Sequence, residues 1–309
     1  MRSSQFRRYI FMKKVLAVIL VLAVFAGRAF AEEKTTRKIR EGFLRYAGIS
    51  TEEYSKFVEE ADSQNFWDYY NLADPRYSAY TASDAEYEYV PFDSLTDMIM
   101  ALDAGKIDRM EMVDCTGAYF LRQGNNSEKY INYQYLTGLN SYLSIGFKKG
   151  SKWIKPFNAA IKAMKEDDTL LLLTAKCIDY VKDDLNPITF EKFPDADTVK
   201  IAVTGDLPPI DYVAADGTPA GFNTAILAEI GRRLKVNIEI LSVSIGARAA
   251  AISSGRVDGV FVFWADDSAD GTFDTPEGVA LTESYCTYDT CVYIGKSCTS
   301  NSLTRYNLP

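Results

Sequence analysis

The stretch from Val199 to Trp264 constrains the fold more than any other part of this chain. It opens on the apolar strand pattern VKIAV and passes through Pro208-Pro209 and an Asp216-Gly217 turn. An amphipathic helix pattern follows Gly221-Phe222, then a second strand pattern, a short Ala-rich helix and the apolar run GVFVFW. This βαβαβ order predicts an α/β fold. Parallel strands need a long crossover, and a helix packed on the sheet face supplies it.

An internal repeat extends the prediction. MIMALDAGKIDRMEMV and RAAAISSGRVDGVFVFW share one plan: apolar helix, Gly, basic residue, β-branched residue, Asp, apolar strand. Gly105 aligns with Gly255 and Asp108 with Asp258. Glycine takes the left-handed position that ends a helix, and the β-branched residue leads into a strand. The repeat reads either as a common helix-to-strand junction used twice or as one junction in each of two related lobes.

With Pro208-Pro209, Asp216-Gly217, Gly221-Phe222 and the Gly255-Arg256-Val257-Asp258 junction in place, residues 199–264 resemble the first lobe of bacterial extracytoplasmic solute-binding proteins, the amino-acid-type family 3. The segment KKGSKWIKPFNAAIKAMKEDDTLLLL resembles that family's closing strand and helices. The resemblance implies a two-lobed, type II periplasmic-binding fold with sheets flanked by helices. It also implies a non-catalytic function: capture of a small polar solute between the lobes for an ABC permease in the membrane. The alternative is a degenerate binding fold acting as a sensor or interaction module. The parts stand in inverted order, second-lobe-like residues 87–190 preceding first-lobe-like residues 191–309. A circular permutation and a truncated tandem pair both account for this, and both predict that the two parts pack together.

Ligands of open α/β sheets sit beyond the carboxyl ends of the strands. In this chain those ends are Thr204 to Asp206, Ser242 to Ile245 and Phe263 to Asp267. The resemblance implies ligand-binding roles for Thr204, Asp206, Tyr212, Phe263, Trp264, Asp266 and, in the second lobe, Asp114. Leu207 and Ile210 stand where family members place a stacking aromatic. Family members that bind amino acids hold the carboxylate with an Arg just past the third strand. Here no Arg lies between Arg256 and Arg305, and Asp266, Asp267 and Asp270 occupy that loop. The loop reads either as a solvated acidic surface or as a site for a neutral or cationic solute.

Composition narrows the remaining choices. The chain has 309 residues, a net charge of −8 and no histidine. The charge gives a nucleic-acid partner no electrostatic support. The missing histidine removes Ser-His-Asp and Cys-His catalysis and the commonest metal ligand, and no motif pairs two carboxylates for glycoside hydrolysis. No enzyme activity, cofactor or metal is therefore expected, and the protein reads as a monomer. Met12-Lys13-Lys14, an apolar run and Ala29-Phe30-Ala31 form a signal-peptide pattern over residues 1–31, with cleavage expected after Ala31 and export to the periplasm or beyond. Cysteines number five, an odd count for an oxidising compartment. Cys286 and Cys291 are close enough in sequence to bridge across a turn.

The rest of the chain is less periodic. Residues 32–86 read as an unplaced helical and aromatic segment. Ile39, Phe43 and Tyr46 predict a helix over 36–46, and Ser50-Thr51-Glu52-Glu53 reads as a capping box. Residues 182–197 read as a linker, and the polar tail from about 297 as disordered.

Overall fold

The computed structural model describes residues 37–44, 51–52, 55, 67–69, 85–179, 188–214, 216–265 and 277–297. The chain divides between Arg37 and Lys38, and the fold described here is that of the second unit, Lys38–Pro309, with Arg37 the first residue of its opening strand.

Three strands come first: β1 (Arg37–Leu44), β2 (Trp67–Tyr69) and β3 (Ala85–Phe92). Helix α1 (Leu95–Asp103), β4 (Arg109–Val113), α2 (Asp114–Arg122) and α3 (Asn126–Lys129) lead to the long strand β5 (Tyr130–Lys148). Helices α4 (Ile154–Glu166) and α5 (Thr169–Thr174) follow. The βαβαβ unit begins with β6 (Thr198–Val203), a small antiparallel sheet of β7 (Asp206–Leu207), β8 (Asp211–Val213) and β9 (Pro219–Ala220), and helix α6 (Phe222–Leu234). It continues through β10 (Asn237–Ser242), α7 (Arg248–Ser253) and β11 (Gly259–Ala265). Strands β12 (Val279–Leu281) and β13 (Cys286–Lys296) close the described fold.

The main sheet runs β10-β6-β11-β5-β13-β4-β1-β3. At one end, β6 lies between parallel neighbours β10 and β11. At the other, β1 and β4 are parallel. Between them β5 and β13 are antiparallel to each other over most of their length. The carboxyl-terminal part of β5 also pairs with β11, and the later part of β13 with β4. These two strands therefore join a β6 lobe to a β4 lobe, and neither sequence part holds a lobe by itself. The architecture is mixed α/β with helices on the sheet faces, as the alternation predicts.

The two lobes repeat one junction in atomic detail. Asp108 N donates to Arg40 O at 2.8 Å, and the Asp108 carboxylate accepts from Arg40 N at 2.8 Å. Asp258 N donates to Lys200 O at 2.8 Å, and its carboxylate accepts from Lys200 N at 2.8 Å. Gly105 and Gly255 take φ of 69° and 73°, the left-handed region that favours glycine. Each Asp thus pins the strand leaving a helix to the central strand of its lobe. Strand β1 holds in one lobe the place of β6 in the other.

That placement corrects the helix expected over 36–46. Ile39 and Phe43 are four residues apart, a spacing that suits one helix face and also one strand face. The strand wins because Glu41, on the same face, meets Arg109 of β4 in register and forms a buried ion pair with it. The Arg109 guanidinium lies between the rings of Tyr87 and Tyr293, at 4.4 and 4.6 Å from their centroids. The capping box at 50–53 falls mostly outside the described residues, although Thr51 and Glu52 are helical. The signal-peptide pattern and the tail from residue 298 also lie outside them.

Each lobe has its own core. Val199, Ile201 and Val203 of β6 pack with Phe222, Ile226 and Ile230 of α6 and Phe157, Ile161 and Met164 of α4. On the opposite sheet face, Val260 and Val262 of β11 meet Ala251 and Ile252 of α7. The β4 lobe buries Met110 and Met112 against Met98 and Leu102 of α1 and Phe120 of α2. Each fully buried large side chain contributes about 1.5–3 kcal/mol relative to exposure.

The expected bridge between Cys286 and Cys291 is corrected as well. Both sit on β13, five residues apart, and neither is in a disulfide. Five residues of strand span roughly 16 Å, well beyond the reach of a disulfide, and no turn brings them together.

Candidate functional site

The site lies where the β6 lobe turns its strand ends toward the β4 lobe. Gly221 sets its geometry. With φ of 98°, it lets the chain enter α6 beneath the Pro209-Ile210 backbone, where an added Cβ would meet Ile210 O at 2.6 Å and Pro209 O at 2.8 Å. The opening amides of α6 then find acceptors: Phe222 N donates to Pro209 O at 3.0 Å and Asn223 N to Ile210 O at 2.8 Å. This fold-back carries Asp211 into the protein interior, with 3% of its surface exposed.

Donors surround the Asp211 carboxylate. The Thr204 hydroxyl donates to Oδ1, as does Gly205 N at 2.7 Å. Asn223 Nδ2 donates to Oδ2 at 3.2 Å, and the Tyr285 hydroxyl donates to Asn223 Oδ1 at 2.7 Å. Burial raises the Asp211 pKa, against the pull of these donors and of the Arg248 charge. Arg248, the first residue of α7, is also buried and donates to Phe261 O at 2.7 Å and Ile245 O at 3.3 Å. A buried carboxylate held by donors and a buried guanidinium held by carbonyls thus stand in one wall.

That wall bounds a recess. Apolar side chains of Leu207, Ile210, Ile245 and Phe261 line it, with Val113 from the end of β4 and Leu143 from β5. Both lobes and a joining strand therefore contribute. The recess offers apolar contact and a few fixed polar atoms, among them a buried carboxylate and a buried guanidinium.

The expected site residues fall in three places. Thr204 is in the recess wall. Asp114 directly follows the lining residue Val113, and its carboxylate accepts from Cys115 N at 2.6 Å. Asp206 and Tyr212 stand where the lobes touch: Tyr212 lies 6.1 Å from the Tyr119 ring of α2, and Asp206 Oδ2 accepts from Thr96 N at 3.5 Å. Burial, followed by the neighbouring Tyr119, pushes the Tyr212 pKa up to about 12. Phe263 and Trp264 are residues of β11, paired with Leu143 and Tyr142 of β5. Asp266, Asp267 and Asp270 lie outside the described residues. Among the described residues, no cluster of His, Cys, Asp or Glu is arranged to hold a metal ion.

Asp211, Asn223 and Arg248 are functional candidates that the sequence analysis missed. Arg248 did carry a signal: it is the one charged residue in the otherwise small and apolar stretch IGARAAAI. Asp211 carried none, because an Asp after Pro-Pro-Ile reads as an ordinary turn residue.

Residues 199–268 match the family model of bacterial extracellular solute-binding proteins, family 3. For this segment the resemblance read from the sequence is borne out. No curated protein matches the chain. Among solved structures, it is similar to the ligand-binding component of an ABC-type import system from Staphylococcus aureus with zinc bound, at 15% identity over 85% of this chain and 67% of that one, TM-score 0.41. It is similar to the alkanesulfonate-binding protein SsuA of Xanthomonas axonopodis pv. citri bound to MOPS, at 11% identity over 87% of this chain and 68% of that one, TM-score 0.42. It is also similar to the probable amino-acid ABC transporter extracellular-binding protein YtmK of Bacillus subtilis, at 11% identity over 86% of this chain and 87% of that one, TM-score 0.40. These likenesses are too distant to bear on function.

Proposed function

We propose that this protein is a non-catalytic, extracytoplasmic solute-binding protein that holds a small solute in the recess between its lobes and presents it to an ABC permease. The observation that carries the reading is the match of residues 199–268 to the solute-binding family model, with the recess as the candidate place for the solute. The recess lies at the carboxyl ends of the matched βαβαβ segment, and Val113 of the other lobe completes its wall. The expected solute is neutral or cationic. Arg248 donates to the Phe261 and Ile245 carbonyls, and the Asp211 carboxylate stands in the same wall. Asp114, next in sequence to the lining residue Val113, adds a carboxylate on the same side.

A thermal-shift panel of amino acids, polyamines, oligopeptides and sugars tests this on the purified protein. A neutral or cationic hit present at a hundred times its dissociation constant should add about 2.7 kcal/mol of stability. Tight binding of glutamate or aspartate would contradict the charge assignment. A panel without any stabilising solute would favour a degenerate sensor or interaction module.

A further inference from the structure

Asp206 does something at this site that a solute ligand would not. It belongs to β7 in the β6 lobe, and its carboxylate sits on the amino end of α1 in the β4 lobe. Asp206 Oδ2 accepts from Thr96 N at 3.5 Å. The opening amides of a helix have no acceptors within the helix and carry partial positive charge. The Ser94 hydroxyl already caps Asp97 N at 3.0 Å, and Asp206 takes Thr96 N, which Ser94 leaves over.

The contacts around Asp206 also run across the cleft. Leu207, the next residue, packs against the cores of both lobes. Ile245, from the loop after β10, is buried in the β4-lobe core. Tyr212 of β8, paired with Asp206 in the small sheet, meets Tyr119 of α2. The cleft is thus bridged by an anion on a helix end, two aliphatic side chains and a ring pair, all supplied by the chain.

We propose that Asp206 is a built-in stand-in for a solute: it latches the β6 lobe to the amino end of α1, so that the protein rests closed when empty. A solute then enters only after this contact has opened, and an anionic solute must in addition compete with Asp206 for the same amide. The proposal builds on the solute-binding reading, yet it can hold without it, because closure is measured with no solute present.

Small-angle scattering and amide hydrogen exchange on the full, solute-free protein test it, with wild type, Asp206→Asn and Asp206→Lys compared. The empty wild type should scatter as the closed form. Asp206→Lys, which places a cation against the helix end, should raise the radius of gyration and speed exchange at the Thr96 amide about tenfold or more. Asp206→Asn should shift both in the same direction by less. If Asp206→Lys loses protection throughout β6 and β11, it has failed to fold, and Asp206→Asn decides the matter with the same two readouts. An open empty wild type would overturn the latch. So would variants as compact as wild type with Thr96 still protected. A closed empty protein that binds nothing in the solute panel would leave the latch standing and remove the binding reading. An open protein that binds a solute would do the reverse.

Discussion

A buried carboxylate needs donors or a proton, and two acids of this protein show the two outcomes. Asp211 has donors: Thr204, Gly205 and Asn223 bond to it, and Arg248 supplies the opposite charge. Glu111, on β4, is less well served. Burial raises its pKa from the usual 4.5 to about 7, a bond with the Cys291 thiol lowers it in part, and the nearby Glu41 charge raises it again. The sign of the linkage follows. Between pH 4.5 and about 7 the folded protein keeps a proton on Glu111 that the unfolded chain releases, so stability falls as pH rises through that window. At about 1.4 kcal/mol for each pKa unit, the loss across the window is roughly 3 kcal/mol. Glu111→Gln should remove this dependence: its unfolding midpoint should match wild type at about pH 4.5 and exceed it at about pH 8. Thermal unfolding of both proteins across the range checks this, and parallel curves would contradict it. None of this chemistry was legible in the sequence. The partners of Asp211 and Glu111 are set by a fold-back at Gly221 and by strand register, and residue type discloses neither.

At the scale of elements, legibility followed periodicity. The unit from β6 to β11 was read from its sequence because its apolar runs, glycines and helix pattern all agree with one another. Strand β1 was misread because Ile39 and Phe43 satisfy both periods. Strand β5 was not read as one element. The repeated junction was legible as a pattern, but its meaning became clear only when β1 was found beside β4. The two junctions are not equal, and this gives a prediction. Asp258 accepts the Lys200 amide, whereas Asp108 accepts the Arg40 amide and also the Arg40 side chain, at 3.0 Å from Nε and 2.9 Å from Nη2. Asp258→Ala should cost about 1–2 kcal/mol, and Asp108→Ala more, by up to about another 1–2 kcal/mol, the bonds to a charged partner being the stronger ones. Chemical denaturation of the two single variants orders them. Equal losses would mean that the Arg40 side chain adds nothing to its junction.

The whole molecule is joined by two strands rather than by a linker. Strand β5 starts against the β13 segment that also pairs with β4, and it ends against β11. Residues far apart in sequence therefore build each lobe together, because these two strands cross from one to the other. One of these crossing strands, β5, also brings Leu143 to the lining of the recess. Trapping a solute there is the central claim, and its location is the most direct test. Diffraction from crystals grown with the strongest hit of the solute panel should show that solute between Val113 and Ile210, in contact with Phe261 and within hydrogen-bond reach of Thr204 or Asn223. Solute found on an outer surface, with the recess between the lobes filled only by the chain's own side chains, would contradict the account.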